Sequence, residues 1–79
     1  MKLPRDLDAN ELIRALKPFG YKATRQSGSH IRLTTMQNGE HHITIPYHNP
    51  LKIGTLNAIL SEIAQHLGLS KQDLVKKLF

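Results

Sequence analysis

Two glycine turns, Ser27-Gly28 and Gln37-Asn38-Gly39, divide the middle of this chain into three short alternating runs. Asn-Gly between such runs is the strongest short-range hairpin signal, because both residues accept left-handed backbone. In the first run, Tyr21, Ala23 and Arg25 fall on one side and Lys22, Thr24 and Gln26 on the other. Ser29 to Thr35 groups Ile31 with Leu33 and sets His30, Arg32 and Thr34 opposite them. His41 to Ile45 turns Ile43 and Ile45 inward and His42 and Thr44 outward, and Pro46 stops it. Three such runs joined by tight turns predict an antiparallel meander.

Helical patterns flank the meander. Asp8 and Glu11 have the spacing of a capping box, and Leu12, Ile13, Leu16 and Phe19 fall on one stripe. The first helix is therefore expected over Ala9 to Lys17, ended by Pro18 and Gly20. Gly54-Thr55 opens a longer helix with the stripe Leu56, Ile59, Leu60, Ile63 and Leu67, and Gly68 suits its C-terminal cap. Ser70 and Asp73 signal a short last helix with Leu74 and Leu78 facing in. The fold class is α+β: a helix, a three-stranded antiparallel sheet, a helix and a short helical tail. At 79 residues this is one domain, 1–79, with a core over about 8–67 and the tail over 70–78. Helices must cover the isoleucine and leucine face. The open face then carries Lys22, Thr24, Gln26, His30, Arg32, Thr34, His42 and Thr44.

Charge narrows the partner. The net charge is +5, and Leu12 to Gly39 holds five basic residues (Arg14, Lys17, Lys22, Arg25, Arg32) with no acidic one. A one-sided field of this kind attracts polyanions, chiefly nucleic acid, or an acidic protein. The chain has no cysteine, which excludes disulfides, thiolate nucleophiles and cysteine zinc sites. Met1-Lys2 leads into Leu3-Pro4-Arg5-Asp6, which is not an apolar leader, so a cytoplasmic protein is expected.

Few mechanisms suit this residue set. Magnesium-dependent phosphodiester cleavage usually needs converging carboxylates, and only Glu40 lies near the histidine-bearing strands. Zinc on His41, His42 and His48 is disfavoured, because neighbouring strand residues point to opposite faces and no fourth ligand is evident. A Ser-His-Asp hydrolase lacks an orienting acid and a nucleophile elbow. What remains is metal-free and cofactor-free: histidine as general acid or base on RNA, whose 2′-hydroxyl is its own nucleophile. From spacing alone, the simpler reading of His30 is a surface histidine bonded to a neighbouring strand. The simpler readings are a turn residue for Gly28, a loop aromatic on the sheet edge for Tyr47, and a histidine favouring its helix dipole for His66.

The runs Arg25-Gln26-Ser27-Gly28-Ser29-His30, Ile43-Thr44-Ile45-Pro46-Tyr47-His48 and Leu51-Lys52-Ile53-Gly54-Thr55-Leu56 together resemble the HicA toxin family. The resemblance runs from the first helix through Ile63. It implies a double-stranded-RNA-binding-domain-like fold and a metal-independent endoribonuclease, an mRNA interferase of type II toxin–antitoxin systems. It further implies that His30 is catalytic with Gly28 shaping its turn, and that a HicB-type antitoxin covers the active surface. Ser29 supports the same loop. Lys22, Arg25, Arg32 and Lys52 are expected to hold the RNA backbone, with His48 and Tyr47 in supporting roles. The second proton-transfer group stays open among Ser29, Tyr47, Lys22 and His42. The rival readings are an RNA-binding module of the same fold without catalysis, and a decayed toxin or other small protein whose basic face serves only a protein partner. The free protein is expected to be a monomer.

Overall fold

A computed structural model describes residues 3–79. The first two positions of the expected domain, and with them the start of the leader reading, lie outside the described residues. Among those described, no helix is long and apolar enough to cross a membrane.

The element order is α1 (Ala9–Leu16), β1 (Lys22–Ser27), β2 (His30–Thr35), β3 (His41–Pro46), α2 (Ile53–Leu67) and α3 (Lys71–Leu78). This is the expected α+β arrangement. Asp8 caps α1 as its spacing predicts: its carboxylate accepts from the Glu11 N–H at 2.8 Å, and Glu11 accepts from the Asp8 N–H at 3.2 Å. The α-helix stops at Leu16, one residue short of expectation, and a 3₁₀ turn (Lys17–Phe19) carries the chain to Gly20. Pro18 sits where its missing N–H costs no helical hydrogen bond. Gly20 then reverses the chain with φ +82°.

The sheet is antiparallel in the order β1-β2-β3. Ile31 and Leu33 of β2 pair with Ile45 and Ile43 of β3, and all four are buried. Leu12 and Leu16 of α1 and Leu56, Ile59, Leu60, Ile63 and Ala64 of α2 join them in one core. Each such side chain contributes about 1.5–3 kcal/mol on full burial, so this cluster sets which sheet face is closed. The tail helix α3 packs on α2, burying Leu74 and Val75, with Leu78 partly covered. Ser70 caps α3 by accepting from the Asp73 N–H at 3.0 Å.

β1 departs from its expected faces. The register steps from Ala23↔Leu33 to Arg25↔Arg32, so Thr24 is an extra residue at a β-bulge. A bulge sets two residues against one and resets the alternation beyond it. Arg25 therefore joins the open face opposite Arg32, and Gln26 moves to the side of Ile31. This corrects the alternating reading, which assigned them the other way round. Every residue of β1 is exposed, so no buried side chain forbids the step.

Candidate nucleic-acid interface

The hairpin that presents His30 is built from two loop residues. Ser27 and His30 close it as a pair, and Gly28 has φ +58° while Ser29 does not turn positive. That is the pattern of a type II′ turn, whose first central residue is glycine. The Tyr47 N–H donates to the Ser29 carbonyl at 2.6 Å, tying this turn to the chain that leaves β3. His30 is exposed beside buried Ile31, so it stands on the open face. The hydrogen bonds that fix His41, His42 and His66 have no counterpart at His30 among the described residues.

Above His30 the face is layered by strand pairing. The next level holds Arg25, Arg32 and Thr44, and the one beyond it Lys22, Thr34 and His42. Two residues of strand advance about 7 Å, so Arg32 stands one such step from His30 and Thr34 two, at about 13 Å. Arg25 and Arg32 are directly opposed, and like charges in that position destabilise a strand pair. The ion pairs among the described residues are His41–Glu62 at 3.5 Å and His42–Glu40 at 2.6 Å, so no carboxylate neutralises either guanidinium. A facing arginine pair left uncompensated is an anion seat.

At the far level, polar groups form a chain. His42 Nε2 meets Glu40 Oε2 at 2.6 Å and its Nδ1 meets the Thr34 hydroxyl at 2.8 Å. Thr34 in turn meets the Thr24 hydroxyl at 2.9 Å. A carboxylate accepts, so Nε2 carries a proton and donates to Glu40, while Nδ1 faces the Thr34 hydroxyl. Glu40, two residues before His42 along the chain, thus orients its ring.

Of the other expected site residues, Lys52 lies off the sheet face at the start of α2. On the loop after β3, the Tyr47 hydroxyl accepts from Asn10 Nδ2 at 2.7 Å, linking the loop to α1. His48 is exposed on the same loop, apart from the arginine level. Asn49 Oδ1 accepts from the Ala9 N–H at 3.2 Å, and the Leu51 N–H donates to the Leu7 carbonyl at 2.8 Å.

His41 and His66 lie off the open face, in a seam between sheet and α2. Their rings stack at 4.3 Å with an interplanar angle of 13°. Tyr21, fully buried, bonds His41 Nδ1 at 2.8 Å. Burial, then the neighbouring His66, lowers the His41 pKa from 6.5, against an opposing pull from Glu62 and with a smaller push from His42. Burial, with Glu62 adding, pushes the Tyr21 hydroxyl up to about 12. His66 does more than favour a helix dipole. Its Nε2–H donates to the Gln37 and Gly39 carbonyls at 2.9 and 3.1 Å, and its own carbonyl accepts from Asn38 Nδ2 at 2.8 Å. Among the described residues no three His, Cys, Asp or Glu side chains converge on a metal position.

Comparison with protein families matches the chain to the family described as HicA toxin of bacterial toxin-antitoxin, over residues 9–68. No curated protein and no solved structure matches the chain.

Proposed function

Because the chain belongs to the HicA toxin family of bacterial toxin–antitoxin systems, we propose that it is a metal-independent endoribonuclease of the cytoplasm that cleaves messenger RNA through His30. The observation that carries this reading is the pairing of an exposed, unengaged His30 with the uncompensated Arg25–Arg32 pair one strand step away. RNA laid along β2 sets a phosphate near the two guanidinium groups and the next beside the imidazole. His30 moves a proton to or from the reacting 2′-hydroxyl or the leaving oxygen, a contribution of typically ~10²–10⁴ in rate. Arg32 offsets charge that builds on the phosphate.

Register narrows the second proton-transfer group. Lys22 and His42 belong to the Thr34 level, about 13 Å along β2 from His30, too far to share one phosphate with it. Ser29 and Tyr47 lie at the His30 end, and the Tyr47 hydroxyl still has its own proton to donate while accepting from Asn10. Gly28 holds the turn, Lys22 extends the basic track, and Lys52 and His48 act outside it. The partner is an antitoxin of the HicB type, drawn to the basic face.

Induced expression of the parent and of His30→Ala tests the reading. Growth arrest with chelator-resistant RNA loss in the parent alone is expected. Harmless behaviour of both folded proteins would overturn it.

A further inference from the structure

Beside the arginine pair the sheet face is hollowed into a groove of about 400 Å³, lined by Arg25, Arg32, Thr34, Met36, Glu40 and His42. It is shallow and open, so a ligand there lies on the sheet face rather than inside a cavity. We propose that this groove is a base-recognition subsite for the nucleotide next to the cleaved bond, selecting a base with an exocyclic amine over uracil. The proposal rests on the ribonuclease reading and names the sequence preference of that same site.

Four features support it. Arg25 and Arg32 supply the phosphate seat at the groove's near end, one strand step from His30. Met36 is 69% exposed at the groove and offers a polarisable, adaptable apolar contact to a heterocycle. Glu40 gives one carboxylate oxygen to His42, and the other remains an acceptor at the groove wall. A carboxylate accepts from the N4 amine of cytosine, whereas uracil turns a carbonyl to the same point, acceptor against acceptor. Finally, the wall is preorganised. His42 is held at both ring nitrogens, and the loop that carries Met36 and Glu40 is fastened to α2 through His66 at both Gln37 and Gly39. A surface carboxylate with no role in recognition needs no such bracing.

The test uses full-length His30→Ala, which leaves RNA intact, titrated with fluorescein-labelled oligocytidine and oligouridine at fixed moderate salt. These two pyrimidines differ at the amine and stack comparably weakly. Cytidine is expected to bind about tenfold more tightly, the discrimination of one good edge contact. In the same background, Glu40→Gln is expected to bring the ratio below about twofold. Arg25→Ala should weaken both oligomers in common and leave the ratio standing. Equal affinities before substitution, or a ratio that survives Glu40→Gln, would overturn the subsite while the ribonuclease reading stands. Failure to bind either oligomer would sink that reading and the subsite with it.

Discussion

Gly20 and Gly28 share left-handed backbone but differ in what surrounds them. At Gly28, with φ +58°, nothing lies within 4 Å of where a Cβ would stand, so the turn demands glycine for its dihedral alone. At Gly20, with φ +82°, a Cβ would meet Thr35 Oγ1 at 2.7 Å. That hydroxyl is buried and doubly used: it donates to the Phe19 carbonyl at 2.8 Å and accepts from the Gln37 N–H at 3.1 Å. Left-handed strain costs roughly 1–2 kcal/mol per residue. Gly28→Ala should therefore lose about that much in a denaturant titration. Gly20→Ala should lose more, because displacing Thr35 leaves a buried carbonyl unpaired at about 1–3 kcal/mol further. Activity should rank the other way. Gly28→Ala distorts the hairpin that aims His30, whereas the Gly20 variant that remains folded keeps that turn intact. Equal stability losses would mean that Thr35 yields without breaking its bonds.

At the scale of elements, the seam between β3 and α2 makes a prediction about pH. His41 has a lowered pKa in the folded chain, so the unfolded chain binds the proton more readily. Stability from this group is full above about 6.5 and falls as pH drops from there toward the lowered folded value. Tyr21 has the opposite sign: its hydroxyl is raised to about 12, so its contribution is full below 10 and fades as pH rises from 10 to 12. Urea midpoints across pH 4 to 8 should decline on the acid side, and His41→Gln should flatten the decline. A parent whose midpoint is unchanged between pH 7 and pH 5 would rule out this role for the stack. The same seam shows where sequence is mute. The α1 cap was readable because Asp8 and Glu11 are three residues apart, and the outward aspect of His30 and Arg32 followed from the alternation beside Ile31 and Leu33. The bulge at Thr24 was not, since a register step belongs to a pair of strands and leaves no mark in the alternation of one. Nor were the His66 clasp on the hairpin or the Tyr47 bond to Asn10, because partners so far apart in sequence have no fixed spacing. Glu40 and His42, two residues apart, do share the strand period, and their contact was there to be read.

For the molecule as a whole, charge and topology act together. A sheet covered on one side by helices leaves its other face open for β1 and β2 to pool their cations, and the bulge adds Arg25 to that pool. Lys22 at one level and the facing Arg25 and Arg32 at the next then lead along the sheet face toward His30 at its end. If these three contact phosphates of a single strand, the logarithm of the binding constant should fall against the logarithm of salt with a slope near −2, at roughly −0.7 per contact. Each alanine substitution among the three should reduce the slope by about 0.7. Lys52→Ala, off this face, should reduce it far less. Arg25→Ala is the sharpest case, because unbroken alternation would have turned that side chain to the other face and left the slope unaltered. A slope unmoved by Arg25→Ala but reduced by Lys52→Ala would shift the RNA track off the sheet and onto the start of α2.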